Sequence, residues 1–202
     1  KKVTELKNFE LDYLDKDNLI NKFNISNKNN NYLIIGKAFN ANNLIENFIN
    51  DKENNLDILK KNFELDIKLD KLFLDKEYSL NGFNGKLSLN NKQIINGNLI
   101  GNFSNKEKFI FTVKSNQDEK VTTLFLDKAK PLANRYKFIK GFNDGSLDFS
   151  SSKKGDESIS KLKIYDFSLK ELPTLTKILT LASLKGIADL LSGEGIRFKE
   201  LE

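Results

Sequence analysis

Along the stretch Phe63-Glu64-Leu65-Asp66-Ile67-Lys68-Leu69, apolar and charged residues alternate without a break. Successive side chains of a β-strand point to opposite faces of a sheet, so this period of two predicts a strand with one apolar and one polar face. A sheet made of such strands has to cover its apolar face with another layer or with a bound molecule.

The same alternation recurs along most of the chain. We predict strands near residues 4–14, 19–25, 32–39, 63–74, 80–89, 93–103, 108–115, 121–126, 145–150, 158–166 and 196–201. The breaks between them are mostly short and rich in turn-forming residues, as at 27–31, 90–91 and 104–106, which favours hairpin connections. The predicted fold is therefore mainly β, with one large curved antiparallel sheet, either an open groove or sandwich-like, in a single domain over residues 1–202.

A few short helices are predicted between the strands. Asn40 is placed to cap a helix over residues 41–49, and Asp127 precedes a helical turn over 131–136 that begins at a proline. The polar stretch at 150–157 is predicted to be an exposed hairpin loop.

Near the C-terminus the apolar period lengthens to that of a helix, which predicts a helix pair over about residues 173–192, bent at Gly186. Lys177, Lys185 and Asp189 lie inside this stretch, so a membrane-spanning helix is disfavoured. We expect the apolar side of the pair to pack on the sheet through Leu175, Ile178, Leu179, Ile187, Leu190 and Leu191.

Five glycines, Gly82, Gly85, Gly97, Gly101 and Gly145, lie inside or beside predicted strands among apolar residues. Glycine within a strand often accompanies a bulge, a bend or a close approach of neighbouring chains. Two interpretations follow, a sheet curved into a trough or ordinary relief of strand twist.

The composition disfavours an enzyme. The chain has no His and no Cys, so the usual nucleophile and base pairs are missing, and no metal or cofactor is expected. Pairs of acids, Asp66 with Asp70 and Asp144 with Asp148, are the remaining catalytic candidates, but a solvent-exposed strand face has the same spacing.

The net charge and the first residues of the chain support two further expectations. The net charge of +5 is spread among alternating Lys, Asp and Glu, which favours a solvated face over a nucleic-acid site. The absence of Met and of an apolar leader leads us to expect a segment of a longer polypeptide.

The apolar positions of the central strands share one predicted face and are candidate lining residues of a groove. They are Phe63, Leu65, Ile67, Leu69, Phe83, Leu87, Leu89, Leu99, Phe103, Phe109 and Phe111. From the residues alone, this apolar face could be covered either by a second sheet layer, as in a sandwich, or by acyl chains of a bound lipid.

Three stretches carry a family resemblance: Tyr165-Asp166-Phe167 followed by Leu172-Pro173-Thr174-Leu175; 179–187, LTLASLKGI; and 190–198, LLSGEGIRF. With them the chain resembles the C-terminal region of AsmA-like proteins, the bacterial envelope family that contains YhdP and is related to TamB. The upstream strand at 63–72 is also similar, and the resemblance covers roughly residues 32–202, most specifically in the last third.

The resemblance implies a long curved sheet, open along one side, with an apolar concave face. It also implies a function, namely a segment of a groove that shields and conducts phospholipids between inner and outer membranes and so supports outer-membrane integrity. The expected partners are phospholipid acyl chains and other envelope proteins, and the expected location is periplasmic, within a parent protein anchored in the inner membrane. A TamB-like scaffold for assembly of outer-membrane proteins, without lipid cargo, is the alternative.

Overall fold

The computed structural model describes residues 7–49, 62–90, 93–135, 141–169 and 196–201. Within them eleven strands form one sheet, in which spatial order follows chain order. The strands are β1 (Asn8–Leu14), β2 (Ile20–Lys28), β3 (Asn31–Asn40), β4 (Phe63–Phe73), β5 (Ser79–Asn90), β6 (Gln93–Asn102), β7 (Lys108–Ser115), β8 (Lys120–Leu126), β9 (Phe142–Lys154), β10 (Glu157–Leu169) and β11 (Ile196–Leu201). Two short helices, α1 (Asn42–Ile49) and α2 (Lys130–Ala133), follow β3 and β8. The prediction of a mainly β protein with one large sheet is confirmed.

Neighbouring strands are antiparallel except for β3 and β4, which run parallel. The antiparallel connection predicted for all strands is therefore wrong at this one pair. Residues 41–62 separate the two strands, and a connection of a dozen or more residues can carry the chain back to the starting end of the sheet.

The helix predicted after Asn40 is confirmed as α1, and the side-chain oxygen of Asn40 accepts a hydrogen bond from the backbone N–H of Asn42 at 3.0 Å. The predicted helical turn at 131–136 is α2, which begins at Lys130 and is shorter than expected. The predicted C-terminal helix pair lies outside the described residues.

The exposed hairpin predicted at 150–157 is present, but its loop is shorter than predicted. β9 continues to Lys154 and β10 begins at Glu157, so only Gly155 and Asp156 form the turn. Serines occupy both faces of this hairpin and hide its alternation, which explains why the sequence pattern failed here.

A line of irregular positions crosses the first half of the sheet. Register shifts occur at Lys22 and Phe23 between β2 and β3, and between Asn81 and Asn84 where β5 meets β6. Gly82, inside the second shift, has a φ of 57°, a left-handed conformation that favours glycine. Such bulges bend the strands, and the sheet is open and curled.

One face of the sheet holds the core, and we call it the inner face and the opposite one the outer face. Two buried clusters lie there, one around Leu69, Leu80 and Phe83 and one around Leu126 and Leu147. Phe103 and Phe109 pack against both clusters and join them into a continuous apolar layer.

The connection after β8 is fastened over one end of the strands, which we call the α2 end. Arg135 donates a hydrogen bond to the backbone carbonyl of Leu74, and its Nη1 lies 3.7 Å from Oε1 of Glu46. Lys130 lies 5.8 Å from the ring centroid of Tyr78. Elements that are several strands apart in the sheet thus meet over the inner face, as expected of a sheet that curls toward it.

Candidate functional site

An unbroken apolar row crosses the inner face from β1 to β10, and we call it the central row. Residues paired directly across neighbouring strands project to the same face. The pairing places one residue from each strand in the row: Phe9, Ile25, Ile34, Ile67, Gly85, Leu99, Phe111, Leu124, Phe149 and Leu162. Ten successive strands contribute only apolar side chains and one glycine to it.

The adjacent row, one residue along each strand, lies on the outer face and is polar. It consists of Asn8, Ser26, Leu33, Asp66, Lys86, Asn98, Thr112, Thr123, Ser150 and Lys161, with Leu33 as its one apolar member. Lys86 and Asp66 form an ion pair at 3.2 Å, and the hydroxyls of Thr112 and Thr123 are 2.7 Å apart. These two rows therefore differ in chemistry across ten strands, although the outer row on the other side of the central row also carries the exposed apolar residues Ile35, Ile100 and Phe125.

At the α2 end the inner face is closed. Leu80 is completely buried, and Leu69, Phe83, Leu126 and Leu147 are each at most 5% exposed. Pro131 and Ala133 of α2 are buried as well, so the helix packs over this end.

Toward the other end of the strands, where the β2–β3, β7–β8 and β9–β10 turns lie, the inner face opens. We call this the hairpin end. Phe9 and Leu162, at the two margins of the central row, are 41% and 44% exposed. Tyr32 and Phe63 pack edge to face there with ring centroids 5.4 Å apart. The described part of the chain forms no second sheet over this surface.

The eleven lining residues predicted from the sequence all fall on this one face of β4 to β7. The pairs Phe63–Leu89, Leu65–Leu87, Leu69–Phe83 and Leu99–Phe111 lie directly opposite each other, Ile67 and Phe109 face Gly85 and Gly101, and Phe103 packs on the core. Ile67, Leu69 and Phe83 are buried, and the other eight are half-buried.

The sequence reasoning missed the continuation of this face into β8, β9 and β10. Leu124, Phe149 and Leu162 extend the central row there. Their strands show the same period of two, so the signal was present in the sequence. The six residues expected to pack the helix pair lie outside the described residues.

Gly101 of β6 allows side chains of the two neighbouring strands to meet above it. Phe83 of β5 and Phe109 of β7 have ring centroids only 5.8 Å apart, although β6 lies between their strands. A Cβ at Gly101 would lie 3.1 Å from Cβ of Leu80 and 3.2 Å from Cδ2 of Phe83. At this position the contacts favour the curved-trough interpretation over simple relief of twist.

In each acidic pair considered as a catalytic candidate, at least one residue lies on the outer face. Asp66 belongs to the outer row, and Asp148 lies opposite Phe125, which is on that same face. The residues that the structure describes bring together no three acidic, His or Cys side chains suited to a metal ion. Neither of the described helices has the length and apolarity to cross a membrane.

The outer face has two open depressions of its own, of about 700 and 830 Å³, beside β1 to β5. The larger one mixes apolar residues such as Leu14 and Ile20 with Lys22, Lys71 and Asp70. Charges of both signs line it, whereas the central row carries none.

Fold and surface together define an open, single-sheet β protein with an unbroken apolar row across its inner face. No protein-family model, no curated protein and no solved structure matches the chain. The resemblance to AsmA-like proteins accordingly stays a prediction from the sequence.

Proposed function

We propose that this chain is a stretch of an apolar groove that shields phospholipid acyl chains from water and conducts them between the inner and outer membranes. The observation that carries the proposal is the central row. An uncharged apolar surface across ten strands, with little of the described chain over its hairpin end, is stabilised by a molecule that removes it from water.

The size of the row fits this cargo. Neighbouring strands are about 4.8 Å apart, so ten of them span about 40 Å. The hydrocarbon of one membrane leaflet is about 15 Å deep, half of a core of about 30 Å. An acyl chain lying along the row therefore has room to slide without leaving apolar contact.

The mechanism under this proposal is passive. The row has no charged group that would hold a lipid at one place, and each step along it exchanges one set of Phe, Leu or Ile contacts for a similar set. The same lack of catalytic groups leads us to propose a conduit and not an enzyme, in a periplasmic segment of an envelope protein.

Two exposed residues of β10 provide a matched test. Leu162 lies on the inner face and is 44% exposed, whereas Ile159 lies on the outer face and is 72% exposed. Because both are accessible, a charge at either position should leave the fold intact. We expect Leu162→Glu to weaken phospholipid binding about 10- to 100-fold, the loss of one buried aliphatic side chain, and Ile159→Glu to leave it unchanged.

Binding is measured by native mass spectrometry and by displacement of a fluorescent fatty acid from the 202-residue chain. Circular dichroism and urea unfolding show whether each variant is folded. Equal losses in the two variants would point to binding on both faces, and a wild-type protein that takes up no lipid would contradict the proposal.

A scaffold for outer-membrane protein assembly is the second candidate, and the edge of the sheet favours it. β1 pairs only with β2 among the described strands, and its inner-face residues Phe9 and Tyr13 are 41% and 45% exposed. An extended peptide with alternating apolar residues could pair with such an edge. This function would be favoured if the chain binds no lipid and a β-strand peptide can be crosslinked to its β1.

A further inference from the structure

The inner face becomes polar at the hairpin end of β7 to β10. The pairing aligns Ser115, Lys120, Lys153 and Ser158 directly across these four strands. At the corresponding position on β4 to β6 the inner face carries Phe63, Leu89 and Ile94. One side of the hairpin end is therefore apolar, and the other carries two lysines between two serines.

The next row toward the central row carries further hydroxyls on the same strands. It contains Thr122, Ser151 and Ser160, aligned on β8, β9 and β10. Ser160 donates a hydrogen bond to the hydroxyl of Ser151 at 2.9 Å, and the hydroxyls of Ser151 and Ser158 are 3.3 Å apart. These hydroxyls lie between the lysines and the apolar residues Leu124, Phe149 and Leu162.

The two lysines face each other without a carboxylate between them. Like charges directly opposite in an antiparallel pair are destabilising, and neither Lys120 nor Lys153 forms an ion pair within the described chain. Burial and the charge of Lys153 both lower the pKa of Lys120. Four acids, Asp118, Glu119, Asp156 and Glu157, lie in or directly beside the adjoining turns, and none of them forms an ion pair with either lysine in the described chain. Glu119 instead accepts a hydrogen bond from Ser152, whose side chain belongs to the outer face.

Ser115 adds an unused donor. Its hydroxyl is buried and has no hydrogen-bond partner among the described residues, although it lies directly opposite Lys120. A buried polar group without a partner is costly, and an anion at this position would accept from it and from the lysines together.

We propose that Lys120 and Lys153, with the hydroxyls of Ser115 and Ser158, form a subsite for the phosphate of an anionic phospholipid head group. The acyl chains of the same molecule lie on the central row, so this inference rests on the proposed function. The phosphate oxygens accept from two ammonium groups, offset their mutual repulsion and satisfy the Ser115 hydroxyl. Anionic lipids are then held at this place while zwitterionic ones pass.

The test compares soluble short-chain phosphatidylglycerol with phosphatidylcholine of the same chain length, and with inorganic phosphate. We expect the wild-type chain to bind phosphatidylglycerol about tenfold more tightly, the effect of one or two charge-assisted hydrogen bonds. The Lys120→Gln and Lys153→Gln double variant should lose this preference and keep its affinity for phosphatidylcholine. Raising the salt concentration should reduce the preference in the wild type.

A second double variant distinguishes the effect of the subsite from the effect of the net charge of the protein. Lys114 and Lys161 are exposed on the outer face of β7 and β10, so Lys114→Gln with Lys161→Gln removes the same charge elsewhere. This control should keep the tenfold preference. An equal loss in both double variants would overturn the subsite, because it would show a general effect of charge.

The remaining outcomes distinguish failure of the subsite from failure of the groove. Equal wild-type binding of the two lipids overturns the subsite and leaves the groove standing. Tight binding of inorganic phosphate with no preference between the lipids would assign the lysines to a free anion, against the proposal. If neither lipid binds, the groove fails and the head-group subsite fails with it.

Discussion

Gly97 and Gly101 are four residues apart on β6 and lie on the inner face, yet their surroundings differ. A Cβ at Gly101 would meet Leu80 and Phe83, which are 0% and 5% exposed and have no room to move. At Gly97 it would lie 2.7 Å from Cδ2 of Leu87, the free end of a half-buried side chain that can turn away.

We therefore expect Gly101→Ala to lower the free energy of unfolding by about 1–3 kcal/mol, the usual effect of overpacking. Gly97→Ala should stay within about 1 kcal/mol of the wild type, because reduced freedom of the unfolded chain offsets a small adjustment of Leu87. Urea unfolding of the two variants measures the difference. Equal stabilities would mean that Phe83 and Phe109 do not close tightly over β6.

The sequence singled out both glycines, with curvature and relief of twist as open interpretations, but it could not show that their surroundings differ. The distinction depends on which side chains of β5 and β7 meet above β6, and that is set by a register that contains an irregular step between Asn81 and Asn84. The lysine pair was missed for a similar reason. Lys120 and Lys153 are far apart in the chain, and only the pairing of β8 with β9 brings them together.

At the scale of elements, Asp15 joins the β1–β2 turn to the end of β3. Its carboxylate accepts hydrogen bonds from the backbone N–H groups of Asp17 and Leu19 at 2.8 and 3.0 Å, and from the side-chain amide of Asn40 at 2.6 Å. Asn21, only 1% exposed, accepts from the backbone N–H of Asn40 at 2.8 Å. The start of α1 is thus fixed by a turn two strands away.

This network predicts a pH dependence. The hydrogen bond from Asn40 holds the pKa of Asp15 below its ordinary value, against a smaller opposing effect of burial. A depressed carboxyl pKa stabilises the fold above the unfolded-state value of about 3.9, and the stabilisation is lost as the pH falls through the folded-state value. Asp15→Asn should lower the urea midpoint at pH 7, and the gap to wild type should narrow at pH 3.

Asp156→Asn is the control for this prediction, because Asp156 lies in the exposed β9–β10 turn. Its midpoint should follow the wild type at both pH values. A gap between Asp15→Asn and the wild type that is the same at pH 7 and pH 3 would contradict a role for the ionised carboxylate.

Most elements could be predicted from the period of two, since each strand carries its own pattern. The full length of β9 and β10 could not, because Ser and Lys occupy both faces near their turn and remove the contrast on which the pattern depends. The parallel pairing of β3 with β4 was also beyond local patterns. The alternation within a strand is the same whichever direction its neighbour runs.

At the scale of the whole molecule, the proposed groove requires lipid to contact the central row at both of its margins, which one labelling experiment can test. The chain has no cysteine, so a single introduced cysteine can carry an environment-sensitive fluorophore. Phe9 and Leu162 lie at opposite margins of the row and are 41% and 44% exposed, so both accept a label without disturbing the core.

We expect labels at Phe9→Cys and Leu162→Cys to shift to shorter wavelengths when phospholipid binds, and to be quenched by lipid that carries a nitroxide on its acyl chain. Labels at the neighbouring outer-face positions, Asn8→Cys and Lys161→Cys, should do neither, because successive residues of a strand face opposite sides. Quenching would then alternate with residue number on both β1 and β10, which have eight strands, β2 to β9, between them in the sheet. Quenching at only one of Phe9→Cys and Leu162→Cys would confine the lipid to part of the sheet. Quenching of the outer-face labels as well as the inner-face labels would show that the lipid is not restricted to the inner face. Either result would contradict a continuous groove.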